Sequence, residues 1–280
     1  MFIFEQVNAC QITSILKEFK SKTSTGHDDL SMKLLKGIIS SISKPLTLII
    51  NQSFATGIFP DRLKIAKVLP LFKKGENSLL DNYRPISILP ALSKLFEKVV
   101  YKQLYAYFVS KKLFYKSQHG FKTLHSTETA ALEFVDKILS CLDSGKLPIS
   151  IYLDLSKAFD TLDHDILFHK LKYYGIRNTS LNWFKSYLDN RRQYVSFDNV
   201  CSSYRPLTTG VPQGSILGPL LFIIYTNDIH LASPKFCFIL YADDTTLINP
   251  ICSFNSCITV ANSDNLSTNI NNELKMYTIG

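Results

Sequence analysis

Two adjacent aspartates, Asp243 and Asp244, interrupt an otherwise apolar run, Phe236-Cys-Phe-Ile-Leu-Tyr-Ala-Asp-Asp-Thr-Thr-Leu-Ile248. Neighbouring carboxylates cannot enter a core without a compensating cation, so this run must carry them to an edge. It reads as two strands, Phe236–Ala242 and Thr245–Ile248, joined at the Asp-Asp pair. A second run, Ile149–Leu155, alternates in the same way. Ile149, Ile151, Leu153 and Leu155 face one side, and Ser150, Tyr152 and Asp154 face the other, so a half-buried strand carries a carboxylate near its end. Strand ends that bring Asp154 to Asp243 and Asp244 make a hard-oxygen site suited to Mg²⁺. Two such ions ~3.5–4 Å apart would activate a 3′-hydroxyl and stabilise a leaving pyrophosphate. A solvent-exposed Asp-Asp turn is the plainer alternative, and spacing alone leaves both open.

The remaining pattern mixes helices with short strands. Helices are expected over Leu30–Ser40, capped by Asp28 or Asp29, and from Pro45 to Gly57. Others are expected over Ala91–Val109, Thr127–Leu142, Asp165–Tyr174, Ser180–Leu188 and Pro219–Ile229. Ala66–Phe72 and Pro85–Leu89 read as strands around a polar turn, Lys73-Lys74-Gly75-Glu76-Asn77. Arg191–Phe197 and the segment around Arg205–Thr209 suit a hairpin. Long helices with hairpin-type strands give an α+β fold rather than a doubly wound sheet.

Composition narrows the class. With 280 residues, 46% hydrophobic and 19% charged, the chain is an ordinary globular one, which excludes disordered, collagen-like and disulfide-miniprotein readings. Charge is unevenly placed: residues 1–122 carry 19 basic and 8 acidic side chains, and residues 123–280 carry 12 and 15. A basic half beside an acidic one suits a polyanion partner on one side and cation-holding carboxylates on the other. The six cysteines form no C-x-x-C pair, and the close pair Cys252 and Cys257 lacks a second pair for zinc, so free thiols in a reducing compartment are expected. No apolar stretch reaches the ~18 residues of a spanning helix. Phe2-Ile3-Phe4, interrupted by Glu5, is too short for a signal-peptide core. The expectation is a soluble intracellular protein of cytoplasm or nucleus, neither secreted nor membrane-bound.

Gly210-Val-Pro-Gln-Gly-Ser-Ile-Leu-Gly-Pro219 sets three glycines and two prolines before an apolar helix. Such a loop lets backbone approach a ligand closely, and Gln213 offers both a donor and an acceptor. Other polar clusters have plainer explanations. Asp163 in Asp163-His164-Asp165 suits a helix N-cap. His119 and His125 have no partners at ligand spacing, and Lys111, Lys112 and Lys116 suit a solvated face. Arg191-Arg192-Gln193-Tyr194 joins charge to an aromatic; tracking a nucleic-acid backbone and forming a surface turn are equally open.

Taken together, the chain resembles the reverse transcriptases of non-LTR (LINE-type, jockey-like) retrotransposons. The residues that carry the resemblance are Asn82-Tyr-Arg-Pro-Ile-Ser87, Gln118-His-Gly-Phe121, Tyr152-Leu-Asp-Leu-Ser-Lys-Ala-Phe-Asp160, Gly210-Val-Pro-Gln-Gly214 with Gly218-Pro219, and Tyr241-Ala-Asp-Asp244, in the family's order. The resemblance implies a right-hand polymerase, with fingers mainly in residues 1–95 and palm mainly in 96–280. A fingers hairpin is expected near 191–209, and the palm's antiparallel sheet packs on helices. It implies RNA-directed DNA synthesis from dNTPs, an RNA template and a DNA primer, with two Mg²⁺ ions for which Mn²⁺ can substitute. By motif position Asp154 and Asp243 are the principal metal ligands and Asp244 the supporting acid. Phe159 falls at the aromatic sugar gate, and Gln213 and Gly214 lie beside the incoming nucleotide. Arg84, Lys73 and Lys94 would contact triphosphate or template backbone from the fingers. The family carries a further helix–strand unit and a thumb after the aspartate hairpin. Here the expectation is a chain ending inside that helix at Asn271–Gly280, with the thumb missing. Two other classes remain, an inactive remnant that only binds nucleic acid and a pseudoenzyme recruited as an interaction module.

Overall fold

The computed structural model describes residues 1–155, 157–198 and 200–251. In chain order the elements are α1 (Ala9–Glu18), α2 (Met32–Thr56), β1 (Ile65–Phe72), β2 (Tyr83–Ile88), α3 (Ala91–Ser110), α4 (Thr127–Asp143), β3 (Leu147–Leu153), α5 (His164–Tyr173), α6 (Asn178–Leu188), β4 (Arg191–Phe197), β5 (Val200–Cys201), β6 (Arg205–Leu207), α7 (Leu217–Tyr225), β7 (Cys237–Tyr241) and β8 (Asp244–Ile251). The fold is α+β, as expected. Cys252, Cys257 and the expected helix reaching Gly280 lie outside the described residues. Among the described residues no helix is long and apolar enough to cross a membrane. The chain divides into two compact units, residues 1–113 with 157–225, and residues 114–156 with those from 226 on.

In the first unit the strands run in the order β2-β1-β4-β5, with β6 also on β4. β1 and β2 form the expected antiparallel pair, from Lys67↔Ile88 to Phe72↔Tyr83. β4 turns back on β5 and on β6, which bears out the expected hairpin. It also runs parallel to β1, from Ile65↔Arg192 to Val68↔Val195, a long-range pairing that no local pattern announces. The helices of this unit share an aromatic core. Trp183 stacks on Tyr187 at 5.5 Å, Phe59 meets both edge-on, and Phe4 stacks on Phe54 at 4.4 Å. Each fully buried ring contributes about 1.5–3 kcal/mol.

Two helix expectations are corrected. α2 runs unbroken through Pro45, where two helices were expected. Pro45 is exposed, so the carbonyl that loses its N–H partner can bond water, while Leu35, Leu46, Ile50 and Phe54 anchor the buried face on both sides of it. The cap is Ser31, whose Oγ accepts from Leu34 N at 3.1 Å, rather than Asp28 or Asp29. α1 was not foreseen. Its signals are a capping box between Asn8 and Gln11 and apolar Ile12, Ile15 and Leu16 at helical spacing.

A buried carboxylate ties this unit together. Glu97 of α3 has no exposed surface, and its Oε1 lies 3.2 Å from both Ser93 Oγ and Tyr187 Oη, which donate to it. Its Oε2 accepts from Ile216 N at 2.6 Å. Arg191, 1% exposed, lies over the Tyr187 ring at 4.8 Å and donates from Nη1 to Tyr187 O. Burial pushes the Glu97 carboxyl above its ordinary range, and the Arg191 charge and these hydrogen bonds oppose that shift. One side chain thereby joins α3, α6, the start of β4 and the loop before α7.

The second unit is built on an antiparallel sheet in the order β3-β8-β7. Phe236, Phe238 and Leu247 form its core, with Tyr115, Ile151, Leu153 and Ile229 packed around them. Tyr115 donates from Oη to Phe238 O at 3.1 Å and stacks its ring on His230 at 4.0 Å. β3 begins and ends two residues earlier than its alternation suggests, which leaves Asp154 just past the strand.

Replacing Glu97 by Ala leaves the Arg191 guanidinium buried without its counter-charge. The expected loss is about 3–5 kcal/mol. The double replacement Glu97→Leu with Arg191→Met removes the unpaired charge and should recover only part of it, because Ser93 Oγ, Tyr187 Oη and Ile216 N still lose their acceptor. Urea unfolding followed by the fluorescence of Trp183, the chain's single tryptophan, measures both.

Candidate active site

The three predicted carboxylates all belong to the second unit and gather at one end of its sheet. β3 pairs with β8 from Leu147↔Ile251 to Leu153↔Thr245, so the next step along the ladder sets Asp154 opposite Asp244. β7 and β8 close through Tyr241↔Asp244, which leaves Ala242 and Asp243 as a two-residue turn. Asp154 and Asp244 are exposed and Asp243 is half-buried. Residual burial, then the charges of Asp243 and Asp154, hold the Asp244 carboxyl above its ordinary range. Like charges held this close favour a cation. All three donors are hard oxygens, which suits Mg²⁺ or Mn²⁺. Among the described residues no group of three acidic, histidine or cysteine side chains is arranged to hold a metal ion. The fit therefore rests on donor chemistry and charge.

The segment Ser117–Gly120 buttresses the turn. Leu240 N donates to Ser117 O and His119 N to Leu240 O, at 2.9 and 2.7 Å. Gln118 Oε1 accepts from Gly120 N at 2.7 Å and Ala242 N at 3.3 Å. His119, which sequence spacing left without partners, has Nδ1 2.8 Å from Thr129 Oγ1 and Nε2 2.8 Å from Glu133 Oε2. Ser117 Oγ donates to Glu133 Oε1 at 2.7 Å. Burial alone would push the Glu133 carboxyl up, but these hydrogen bonds and the charges of His119 and Lys137 hold it below its ordinary range. The partners sit one and two turns into α4, so they become neighbours only once the helix has docked.

In the first unit the glycine-rich loop folds onto two other motifs. Ser87 N donates to Gln213 O at 2.8 Å, and Val211 N donates to Phe159 O at 2.8 Å. A Cβ on Gly210 would lie 2.6 Å from Asp160 backbone, and one on Gly214, at φ +116°, 2.5 Å from Ser87 O. Gln213 Nε2 donates to Asp160 Oδ2 at 3.0 Å, which fixes the amide and leaves its Oε1 for another partner. Phe159 is half-buried, its ring 4.8 Å from Phe222 of α7. Asp163 caps α5 as expected, accepting from Ile166 N at 2.9 Å.

The basic candidates separate. Arg191 is buried against Tyr187, so the expected surface role is corrected: it presents no charge to a phosphate. Arg192, Arg84 and Lys73 are exposed. Lys94 is half-buried; burial lowers its proton affinity, with Glu97 opposing and Lys22 adding to the shift. Pairing places Arg192 beside Ile65, Tyr194 beside Lys67, and Arg84 beside Leu71, all on one face of the sheet. Tyr204 meets Tyr194 edge-on at 5.3 Å. Lys67 was missed in the sequence, where it is one lysine inside an apolar strand.

Residues 72–254 match the family model described as reverse transcriptase (RNA-dependent DNA polymerase). A probable RNA-directed DNA polymerase from transposon BS of Drosophila melanogaster is 33% identical over 252 residues, which cover 85% of this chain and 27% of that protein. The RNA-directed DNA polymerase from mobile element jockey of the same organism is 29% identical over 246 residues, 85% of this chain and 27% of the relative. A probable RNA-directed DNA polymerase from its transposon X-element is 30% identical over 227 residues, 79% and 24%. The chain spans about a quarter of the length of these curated relatives.

Glu133→Gln should destabilise the protein by about 1–2 kcal/mol at neutral pH, the worth of hydrogen bonds to a charged acceptor. A carboxyl with depressed proton affinity stabilises above the ordinary glutamate range and loses that contribution as pH falls through its lower, folded value. The gap between parent and Glu133→Gln should therefore close on acidification, as measured by urea unfolding from pH 7 to pH 3.

Proposed function

The chain belongs to the reverse transcriptase (RNA-dependent DNA polymerase) family, and on that premise we propose that it joins dNTPs to the 3′-hydroxyl of a DNA primer on an RNA template, releasing pyrophosphate. The observation that carries the reading is the gathering of Asp154, Asp243 and Asp244 at one sheet end, where residual burial and then the charges of the other two raise the proton affinity of Asp244. In this proposal Asp154 and Asp243 hold two divalent cations, Mg²⁺ or Mn²⁺ in its place, and Asp244 supports them. Bound there, such ions supply charge that favours a deprotonated primer hydroxyl and a pyrophosphate leaving group.

The other residues bind and orient. Gln213, its amide nitrogen held by Asp160, offers Oε1 to the incoming nucleotide, and Gly214 brings backbone close to it. Phe159 acts as a steric wall against a ribose 2′-hydroxyl, braced by Phe222. Arg84, Arg192 and Lys67, interleaved with Tyr194 on one sheet face, suit a nucleic-acid backbone with bases stacked on the ring. Lys73, exposed at the β1 end, suits phosphate, and Lys94 a shorter-range contact through its half-buried stem. A chain that only binds nucleic acid would use the same basic face without the carboxylates.

Primer extension on an RNA template tests the reading. Asp154→Asn and Asp243→Asn should each abolish extension while sparing RNA binding, because removing a metal ligand deletes charge compensation worth several kcal/mol. Extension within about tenfold of the parent, ~1.4 kcal/mol, overturns the metal assignment.

For the sugar wall, Phe159→Val should lower the ratio of kcat/KM for dGTP over GTP by about tenfold or more. An unchanged ratio with both rates reduced would make Phe159 a packing residue.

A further inference from the structure

The turn that carries Asp243 is in a conformation its own residues do not favour. Ala242 sits at φ +57°, in the left-handed region where a Cβ is unwelcome. A two-residue hairpin turn commonly places glycine, asparagine or aspartate at such a position. Here alanine holds it, so something outside the turn must keep it there.

Gln118 meets that need. It is 1% exposed, and its Oε1 accepts from Ala242 N at 3.3 Å while also accepting from Gly120 N at 2.7 Å. The second bond fixes the amide so that its acceptor stays on the turn. Its Nε2 is buried and has no hydrogen-bond partner among the described residues. Both of its side-chain bonds are therefore made through the oxygen. Gly120 supplies the room: a Cβ there would lie 2.0 Å from Ala242 N, so the two backbones meet without side chains between them. Ser117 and His119, bonded on either side of Leu240 and anchored to Thr129 and Glu133 of α4, keep the glutamine from moving.

We propose that Gln118 is a positioning residue for Asp243, holding the Ala242 turn in its left-handed conformation so that the carboxylate stands ready for a divalent cation. This rests on the metal reading given above. Gln118 touches neither metal nor substrate; it acts through the Ala242 amide.

The test is Mn²⁺ titration of the full chain, read by electron paramagnetic resonance of the free ion, with no nucleotide or template. Asp243→Asn should weaken binding. Gln118→Met, which keeps volume and removes the acceptor, should weaken it about tenfold, as loss of a partner that orients a ligand does. In an Ala242→Gly background, where the left-handed conformation is free, Gln118→Met should cost much less. Parent-like Mn²⁺ affinity in Gln118→Met, with binding lost in Asp243→Asn, overturns the positioning role alone. Equal affinity in the parent and Asp243→Asn overturns the metal reading and this inference with it. Should Gln118→Met fail to fold, amide exchange in the parent decides: the Ala242 N–H should be protected, and exchange at the rate of an open loop overturns the inference.

Discussion

A carboxylate with no access to water sets the terms for the first unit. Glu97 cannot be left unpaired in a low-dielectric interior, so each of its oxygens must be met by a donor. Ser93 and Tyr187 meet one, Ile216 N meets the other, and Arg191 supplies the charge. These donors come from α3, α6 and the loop before α7, with the charge at the start of β4, so satisfying one side chain aligns four segments distant in sequence. The alignment is specific where hydrophobic packing is permissive. Rings such as Phe59 and Trp183 can repack with modest loss, whereas a shifted donor leaves a charge exposed to nothing.

The family motifs become intelligible as contacts rather than as a row of letters. Asn82–Ser87, Phe159–Asp160 and Gly210–Gly214 converge because Gly210 and Gly214 let backbone lie where a Cβ would collide, and because Ser87 N donates to Gln213 O and Val211 N to Phe159 O. Gln118–Phe121 belongs to a different assembly, the brace of the aspartate turn. The motifs are therefore divided between the two units, the carboxylates in one and the Gln213 loop in the other.

Much of this was legible because it is local. The alternation of Ile149–Leu155, the aspartate cap of α5 and the β1–β2 pair each announce themselves within a few residues. The exceptions share a physical cause. Pro45 reads as a break because its missing bond is visible in sequence, and the buried anchors that outweigh it lie on both sides. Arg191 reads as surface charge because Glu97, its counter-charge, lies far upstream. Lys67 reads as an intruder in a strand until parallel pairing with β4 places it beside Tyr194. Of the candidate site, residue types were readable, but the hydrogen-bond partners that fix them were not, since those are long-range.

The parallel pairing of β1 with β4 also sets an order in time. Ile65 must wait for Arg192, more than a hundred residues later in the chain. At about 5–20 residues per second that delay on the ribosome is on the order of ten seconds. Throughout it, the edge of β1 from Ile65 to Val68 that β4 will cover stays unpaired. Unpaired apolar edges recruit other strands. The nascent chain is thus most vulnerable to misassociation before β4 emerges, and translation speed through residues 73–192 becomes a determinant of yield.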